Sequence, residues 1–495
     1  MKLYPEAKTS LLLNKIYLLL TKLGVESYLV GGFVRDTLLG RDTADIDIAV
    51  AADTLVIIPK LADKLGGKCV ILDELNKICR IIVSEDTHRW EIDFSTFRDS
   101  IEQDLARRDF TIDAMAIDLS QLDKGNTDYQ IIDPFNGLGD LHKGIIRTVS
   151  EDAFQSDPAR LLRAVRLAAE LGFSIDSQTE SLVRCYSNLL PKVAGERVRE
   201  ELLRLLAVPQ AGKFLAYLDD LGLLTTMIPE LAQTKGVVQP KEHFWNVFDH
   251  SMKTVSAVSF LLRQETWDYV SVDTLAVTPW SDVLDHHFAQ EVSQGSTRGS
   301  LLKLAALLHD IAKPQTKTID INGRMRFLGH AKDGAVTAAN ILERLRFSGK
   351  EIRLVETMIE HHLRPLQTRN TGLPTRHALY RYFRDTGEAG IDILFLSLAD
   401  HLAARGPHLD LNQWQEHAQL AEYILCQRFQ EEESVVAPPK LIDGHDLLDT
   451  FGLSPGPRIR QLLETVREAQ VTGELATREE ALAYIHRHLL AGARK

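Results

Sequence analysis

Two glycines, the start of a short helix, and an alternating Asp-Ile-Asp-Ile strand constrain this chain more than any other segment. Leu29-Val30-Gly31-Gly32-Phe33-Val34-Arg35-Asp36 leads after a short gap into Asp45-Ile46-Asp47-Ile48-Ala49-Val50. Side chains alternate faces along a strand, so Asp45 and Asp47 point the same way. Two carboxylates held side by side repel unless a cation sits between them. A divalent metal does this, and a metal pair can clamp a triphosphate for in-line attack. Gly31-Gly32 lets backbone amides approach a phosphate closely, and residues 33–39 read as the first turns of a helix whose N-terminus favours anions. A surface strand with two solvated aspartates explains the Asp pair as well, but not the Gly-Gly-helix in front of it. The segment therefore points to nucleotide transfer.

The length of 495 residues suggests several domains, three or four units in all, with ample material for buried cores. Hydrophobic content of 44% and charged content of 25% are ordinary for a soluble globular protein. Cys69, Cys79, Cys185 and Cys426 lie far apart without paired ligand spacing, and read as buried thiols of a reducing cytosol. Leu11 to Leu20 is apolar but broken by Asn14 and Lys15. It reads as an amphipathic helix, neither signal peptide nor membrane span, so a cytoplasmic protein with no membrane partner is expected. A net charge of −12 argues against a generic nucleic-acid binder. Any RNA must be held by local basic clusters, with salt-sensitive affinity.

Residues 1 to about 150 mix short β-like runs (28–30, 46–50, 81–83, 91–94, 116–118 and 131–132) with helical segments. This predicts a small mixed or antiparallel sheet, closed by the turn cluster Asp133-Pro134-Phe135-Asn136-Gly137. From Asp157 onward the helical period dominates and strands are not expected. A polar stretch from about Gln264 to Gly299 reads as a loop insertion, and 431–439 as a linker.

Arg107-Arg108-Asp109-Phe110-Thr111-Ile112-Asp113-Ala114 places two guanidinium groups before an apolar run. Arg108 can hold phosphate oxygens with a two-pronged contact, although alone the pair reads better as surface salt bridges. In Asp157-Pro158-Ala159-Arg160-Leu161-Leu162-Arg163-Ala164-Val165-Arg166, Asp157 suits an N-cap and Pro158 the first helical position. Arg160, Arg163 and Arg166 then recur every third residue, drifting slowly around one face. Stacked cations without interleaved acids invite an anionic ligand; a solvated basic face is the alternative. Asp157 with Arg160 can also offer an acceptor and donors to the Watson–Crick edge of a base.

These motifs in this order resemble the class II tRNA nucleotidyltransferase (CCA-adding enzyme) and bacterial poly(A) polymerase family. Gly195-Glu196-Arg197-Val198-Arg199-Glu200-Glu201-Leu202 is similar to that family's next helical motif, which braces the nucleotide site. The match spans roughly residues 25–230. It implies an α+β chain: a polymerase-β-like nucleotidyltransferase sheet domain followed by all-helical neck/body, HD and tail domains. The implied boundaries are 1–150 for the head, 151–235 for the neck and body, 240–430 for the HD-type domain and 438–495 for the tail. The resemblance implies Asp45 and Asp47 as catalytic Mg2+ ligands, and Gly32, Arg35, Arg108, Arg163 and Arg166 at nucleotide phosphate and sugar. It assigns Asp157 and Arg160 to the protein template that chooses CTP or ATP, with tRNA as partner; the oligomeric state stays open.

Three departures stand out. CCA-adding members carry a flexible basic loop of about a dozen or more residues before Arg-Arg-Asp; here Phe94–Ser100 runs almost directly into Ile101-Glu102-Gln103-Asp104-Leu105. Loss of that loop resembles CC-adding members. Ser156 stands where a glutamate commonly precedes the template Asp, and Asp113 replaces a usual Asn. A CC-only product is thus the alternative to C and A addition. Asp93 or Glu91 is a candidate third carboxylate to activate the primer hydroxyl, or a structural strand acid.

A second constellation comprises His250, His309-Asp310, His330, His361-His362 and Asp400. Imidazoles and carboxylates on different helices can cage a divalent metal and leave a position for water. Ala305-Ala306-Leu307-Leu308-His309-Asp310-Ile311-Ala312-Lys313 resembles the HD phosphohydrolase family. That resemblance implies His250, His309, Asp310 and Asp400 as the minimal metal set, with His330 and His361 or His362 as auxiliaries. Mn, Ni, Fe or Co would suit it, unless the domain is degenerate and kept for RNA docking. The tail from Leu441 to Arg460 resembles the family's C-terminal segment, where Pro457 can open a helix whose amides, with Arg458 and Arg460, suit an RNA phosphate. The rivals are a poly(A) polymerase of the same family and an HD phosphohydrolase with an RNA-binding head.

Overall fold

The computed structural model describes residues 7–85, 88–124, 129–270, 273–368, 372–430, 436 and 438–492, which divide into two compact units. The first comprises 1–193 and 217–227, the second 194–216 and 228–495.

The first unit opens with α1 (Ala7–Lys22), then β1 (Ser27–Val30), α2 (Gly31–Leu38), β2 (Asp45–Val50) and α3 (Thr54–Leu65). The strands β3 (Lys68–Asp73), β4 (Ile78–Glu85), β5 (His88–Thr96) and β6 (Ala116–Asp118) complete one six-stranded sheet of order β3-β4-β5-β2-β1-β6. Every pairing is antiparallel except β2 with β5, so the sheet is mixed, as its sequence pattern implied. Ile46, Ile48 and Val50 are buried on one face of β2, each worth about 1.5–3 kcal/mol of apolar transfer. The other face carries Asp45 and Asp47 and then Ala49, which joins a cluster with Tyr28, Phe97, Ile101 and Leu105. Helix α4 (Ile101–Ala106) supplies Ile101 and Leu105, and Ser100 caps its start by accepting from Gln103 N at 3.4 Å. Asp133 stops the chain after β6 by accepting from the amides of Gly137 and Leu138 at 2.6 and 2.9 Å, opening α5 (Gly137–Lys143). Beyond it lie α6 (Ala153–Ser156), α7 (Arg160–Leu171) and α8 (Ser177–Tyr186).

The second unit is built around one helix, Arg298–Leu308, which is buried on every side. Its second half, Leu304-Ala305-Ala306-Leu307-Leu308, is apolar all round, as a helix in a protein interior is. The helices Gly195–Ala207, Val247–Leu261, Gly349–His361 and Gly390–Arg405 pack around it. Gly444–Phe451, Pro457–Val471 and Arg478–Gly492 enclose a separate small core of Ile442, Leu447, Leu462, Val466, Leu475 and Ile485.

Several expectations need correction. Strands persist beyond Asp157: Ser174–Ile175 pairs with Ile145–Ile146, and short hairpins occur at 291–297 and 317–327. The polar stretch 264–299 is not a plain loop. It holds helices Asp273–Ala276 and Asp282–Ala289, which bury Leu284 and Phe288, and the capping box of Thr297 and Ser300 starts the central helix before Gly299. Of the four cysteines expected to be buried only Cys79 is; Cys69 and Cys426 are half-buried and Cys185 is exposed, although all four are free. The expected linker at 431–439 falls mostly outside the described residues. Among the described residues no helix is long and apolar enough to cross a membrane.

Candidate active site and metal centre

Gly31 stands where β1 turns into α2 with φ +67°, a backbone state that favours glycine. It also has no room for a side chain: a Cβ there would lie 2.7 Å from Arg108 Nη1 and 2.9 Å from Asp47 Oδ2. Gly32 is next to the same groups, its missing Cβ 3.5 Å from Arg35 Nη2 and 3.6 Å from Asp47 Oδ2. Gly31, Gly32, Arg35, Asp47 and Arg108 therefore converge on one spot. The parallel register of β2 and β5 sets Asp45 beside Glu91 and Asp47 beside Asp93. Four acids thus share one face. Arg80 on β4 partly neutralises them, with Nε 2.6 Å from Asp93 Oδ1 and Nη2 2.8 Å from Asp93 Oδ2, and with an ion pair to Glu91.

Burial lifts the Asp47 carboxyl above its ordinary range, and Asp93 and Asp113 push it further, against the pull of Arg108 and Arg163. A carboxylate crowded this way is short of positive charge, so the donor set fits a hard divalent cation held by Asp45 and Asp47.

Around this spot the basic residues are braced by acids. Arg35 is buried, with Nη1 2.6 Å from Asp113 Oδ1 and a fork onto Asp36 at 2.8 and 2.9 Å. Arg163 places Nε 2.7 Å from Asp109 Oδ2 and Nη2 3.5 Å from Asp113 Oδ2. Burial would raise the Asp109 carboxyl, yet Arg163 and Arg160 hold it below its usual range. Asp157 lies just before α7, its Oδ1 accepting from Ala159 N at 3.2 Å and its Oδ2 4.0 Å from Arg160 Nε. Arg160 also donates to Arg107 O at 2.8 Å. Asp157 and Arg160 thus stand together near the Arg107-Arg108 turn.

Arg166 is 2% exposed, with Nη1 2.5 Å from Glu170 Oε2, so it is more deeply buried than Arg160 and Arg163 on the same helix. On the helix Gly195–Ala207, Arg199 donates to Arg346 O at 2.8 Å, and just past its end Val208 O accepts from Lys303 at 2.8 Å. Sequence reasoning missed the buried Asp113 as the hub between Arg35 and Arg163, although its departure from Asn marked the position.

The second constellation assembles at the C-terminal end of the central helix. His309 follows its last turn, with Nε2 3.2 Å from Asp310 Oδ2 and 3.8 Å from Asp400 Oδ1. His250 Nε2 is 3.0 Å from Asp400 Oδ1 and 3.5 Å from Asp310 Oδ2. Asp310 turns its other oxygen to His330 Nε2 at 3.4 Å, and Lys313 sits 2.5 Å from Oδ2. The open choice at 361–362 falls to His362, which is 1% exposed and groups with Asp310 and His330. His309, His330 and His362 each donate Nδ1–H to the carbonyl three residues back, at 2.9, 2.7 and 2.7 Å. Those bonds fix the tautomer, leaving Nε2 lone pairs for the cluster.

Among the described residues His330 Nε2 is buried without a hydrogen-bond partner, as an unsaturated ligand is. Burial lowers His250 and takes His362 down to about 4; it also opposes charge on His309, but Asp310 and Asp400 overcome it and raise that ring to about 10. Two carboxylates among imidazoles fit a transition metal, whose binding would replace the proton that Asp310 and Asp400 favour on His309. His243, which sequence reasoning overlooked, joins His250 and Asp400 in a third potential ligand group. The cluster opens into a cavity of about 470 Å3, lined by Lys313, Arg324, Arg326 and Arg405 as well as Phe327 and Leu363.

Comparison with known proteins finds three family matches along the chain. Residues 27–147 match a poly A polymerase head domain, 172–234 a probable RNA and SrmB-binding site of polymerase A, and 282–405 an HD domain. The chain is 34% identical to an A-adding tRNA nucleotidyltransferase of Deinococcus radiodurans, over 93% of this chain and 94% of the relative. It is 32% identical to a CC-adding tRNA nucleotidyltransferase of Thermus thermophilus, over 93% of each. A solved CCA-adding enzyme in complex with ATP shares the fold at TM-score 0.62 and 22% identity, covering 99% of this chain and 95% of that one.

Proposed function

The chain belongs to the tRNA nucleotidyltransferase family, and from that premise we propose that it adds C and A to the tRNA 3′ end from CTP and ATP in the cytoplasm. The observation that carries this reading is the convergence of Gly31, Asp47 and Arg108, with Asp45, Asp93 and Arg163 around them. In this reading residues 1–150 are the catalytic head, 151–235 the neck and body, 240–430 the HD-type domain and 438–495 the RNA-binding tail. Exposed Arg458 and Arg460, in the first turn of the Pro457–Val471 helix, suit an RNA phosphate.

The terminal RNA hydroxyl attacks the α-phosphorus of the nucleotide, and the bond to the pyrophosphate leaving group breaks. Arg108 and Arg163 neutralise triphosphate charge, while Arg35, tied by Asp36 and Asp113, holds the Gly32 turn in shape. Asp157 and Arg160 offer the edge that selects the base. Asp93, beside Asp47 and held by Arg80, is positioned to receive the hydroxyl proton. Asp45 and Asp47 would hold Mg2+, which when bound supplies Lewis acidity at the phosphates and at the attacking oxygen.

One observation favours a CC-only product as the second reading: only residues 97–100 separate β5 from α4, too short for a flexible loop of about a dozen residues. Purified protein given tRNA lacking its 3′ end, with labelled CTP and ATP, decides between them. Complete CCA ends support the first reading and arrest at CC the second; long adenylate tails from ATP alone would indicate the poly(A) polymerase rival.

A second activity is proposed for the His–Asp centre. His250, His309, Asp310 and Asp400 would hold Mn, Ni, Fe or Co, which when bound activates water for phosphoester hydrolysis. Lys313 and the cavity arginines would hold the phosphoester. Elemental analysis of metal-soaked and stripped protein tests this, with His309→Ala as control; equal metal content in all three contradicts it.

A further inference from the structure

The loop before the Val247–Leu261 helix carries a histidine that the HD-type ligand pattern does not use. We propose that His243 is a direct ligand of the metal in the His–Asp centre, on the His250–Asp400 side. The inference rests on the reading that this centre holds a transition metal.

Three observations carry it. One ligand atom from each of His243, His250 and Asp400 can be chosen so that all lie within 4.8 Å of one another, close enough to share an ion. His243 Nδ1 is buried and has no hydrogen-bond partner among the described residues, an expensive state for an imidazole nitrogen unless something absent from the protein satisfies it. Third, the loop is strapped in place. Phe244 N donates to Ala404 O at 2.8 Å and Arg405 Nη1 to Glu242 O at 2.9 Å, both from the helix end that carries Asp400. Lys313, which also contacts Asp310, donates to Gln239 Oε1 at 2.6 Å, and Gln239 Nε2 donates to Trp245 O at 3.3 Å. The segment is thus tied on both sides of His243 to residues next to the metal set, as preorganised ligands are. The His243 ring meets His250 edge to face at 5.3 Å between centroids, which alone would describe a packing neighbour.

Coordination and packing are separable with cobalt. The full-length protein, stripped and titrated with Co2+, gives a visible absorption band whose position and intensity report ligand number and type. His243→Gln keeps the volume and the loop but removes the imidazole, and His243→Ala leaves a space that free imidazole can enter. The expected result is a changed Co2+ band and roughly tenfold or greater weakening of Co2+ affinity in both variants. Millimolar imidazole should return the His243→Ala spectrum toward wild type. A His243→Gln band identical to wild type, with unchanged affinity, overturns the proposal even though the centre binds metal. Wild-type protein that takes up no Co2+ overturns the metal reading beneath it. Matching melting curves for the variants and the wild type, both stripped, show that a spectral change is not misfolding.

Discussion

Replacing Gly31 by alanine isolates the geometry on which the proposed catalysis depends. Two costs can be told apart. The first is backbone strain: an alanine held at φ +67° loses about 1–2 kcal/mol, which lowers the melting temperature by roughly 2–4 °C per kcal/mol in a unit of this size. The second is local. The new Cβ would meet Asp47 Oδ2 at 2.9 Å and Arg108 Nη1 at 2.7 Å. Arg108 is long and can swing aside, but Asp47 sits on a central strand, so its carboxylate must retreat by about 0.5 Å, the tolerance usual for a catalytic group. Misplacement approaching 1 Å costs about 100-fold, so kcat/KM for labelled CTP incorporation should fall by roughly 10- to 100-fold. Gly24→Ala is the matched control, since Gly24 has the same φ of +67° and nothing within 4 Å of an added Cβ. It should show the same loss of melting temperature with near-normal turnover. Equal activity in the two variants would refute the reasoning, because strain alone would then account for Gly31.

Other outcomes follow from particular ion pairs. Arg163→Ala removes the partner of buried Asp109, so KM for CTP should rise more than kcat falls, and Arg163→Lys should restore part of the loss; an unchanged KM contradicts a phosphate role. Glu468 is forked by Arg381 at 2.7 and 3.1 Å, and this hydrogen bonding, helped by His377, takes its carboxyl down to about 2. Its pKa is depressed on folding, so its contribution is present above the unfolded value of 4.5 and disappears as pH falls toward 2. Hydrogen-exchange protection factors of the Pro457–Val471 helix, corrected for the intrinsic rate at each pH, should therefore fall over that interval in wild type, and Glu468→Gln should flatten the dependence. The pair is partly solvated, so the effect is no more than about 1 kcal/mol.

Local periodicity made the heart of the site legible in the sequence. The i, i+2 spacing of Asp45 and Asp47 within an alternating strand, and the glycines before a helix, are short-range signals that tertiary structure had no reason to override. β3 escaped because Lys68–Asp73 is an edge strand with no fully buried residue, so its side chains show no inside-outside alternation. Arg166 is buried for a geometric reason. Steps of three residues lag a helical turn, so two steps carry the side chain about 120° around the axis, from the open face into the core. His243 left no local trace at all, because only the packing of a loop onto a helix 160 residues later in the chain brings it to Asp400. The segment 264–299 misled through its polar composition, which hid the two apolar anchors Leu284 and Phe288.

The most direct test is single-turnover incorporation of labelled CTP into tRNA that lacks its 3′ end, comparing wild type with Asp47→Asn. The exchange keeps the size of the side chain and removes the charge that a divalent cation needs, so incorporation should fall by about 1,000-fold or more, while the melting temperature in metal-free buffer stays the same or rises because a crowded carboxylate has been neutralised. Substantial incorporation by Asp47→Asn at ordinary Mg2+ would contradict the assignment of this carboxylate pair as the catalytic centre.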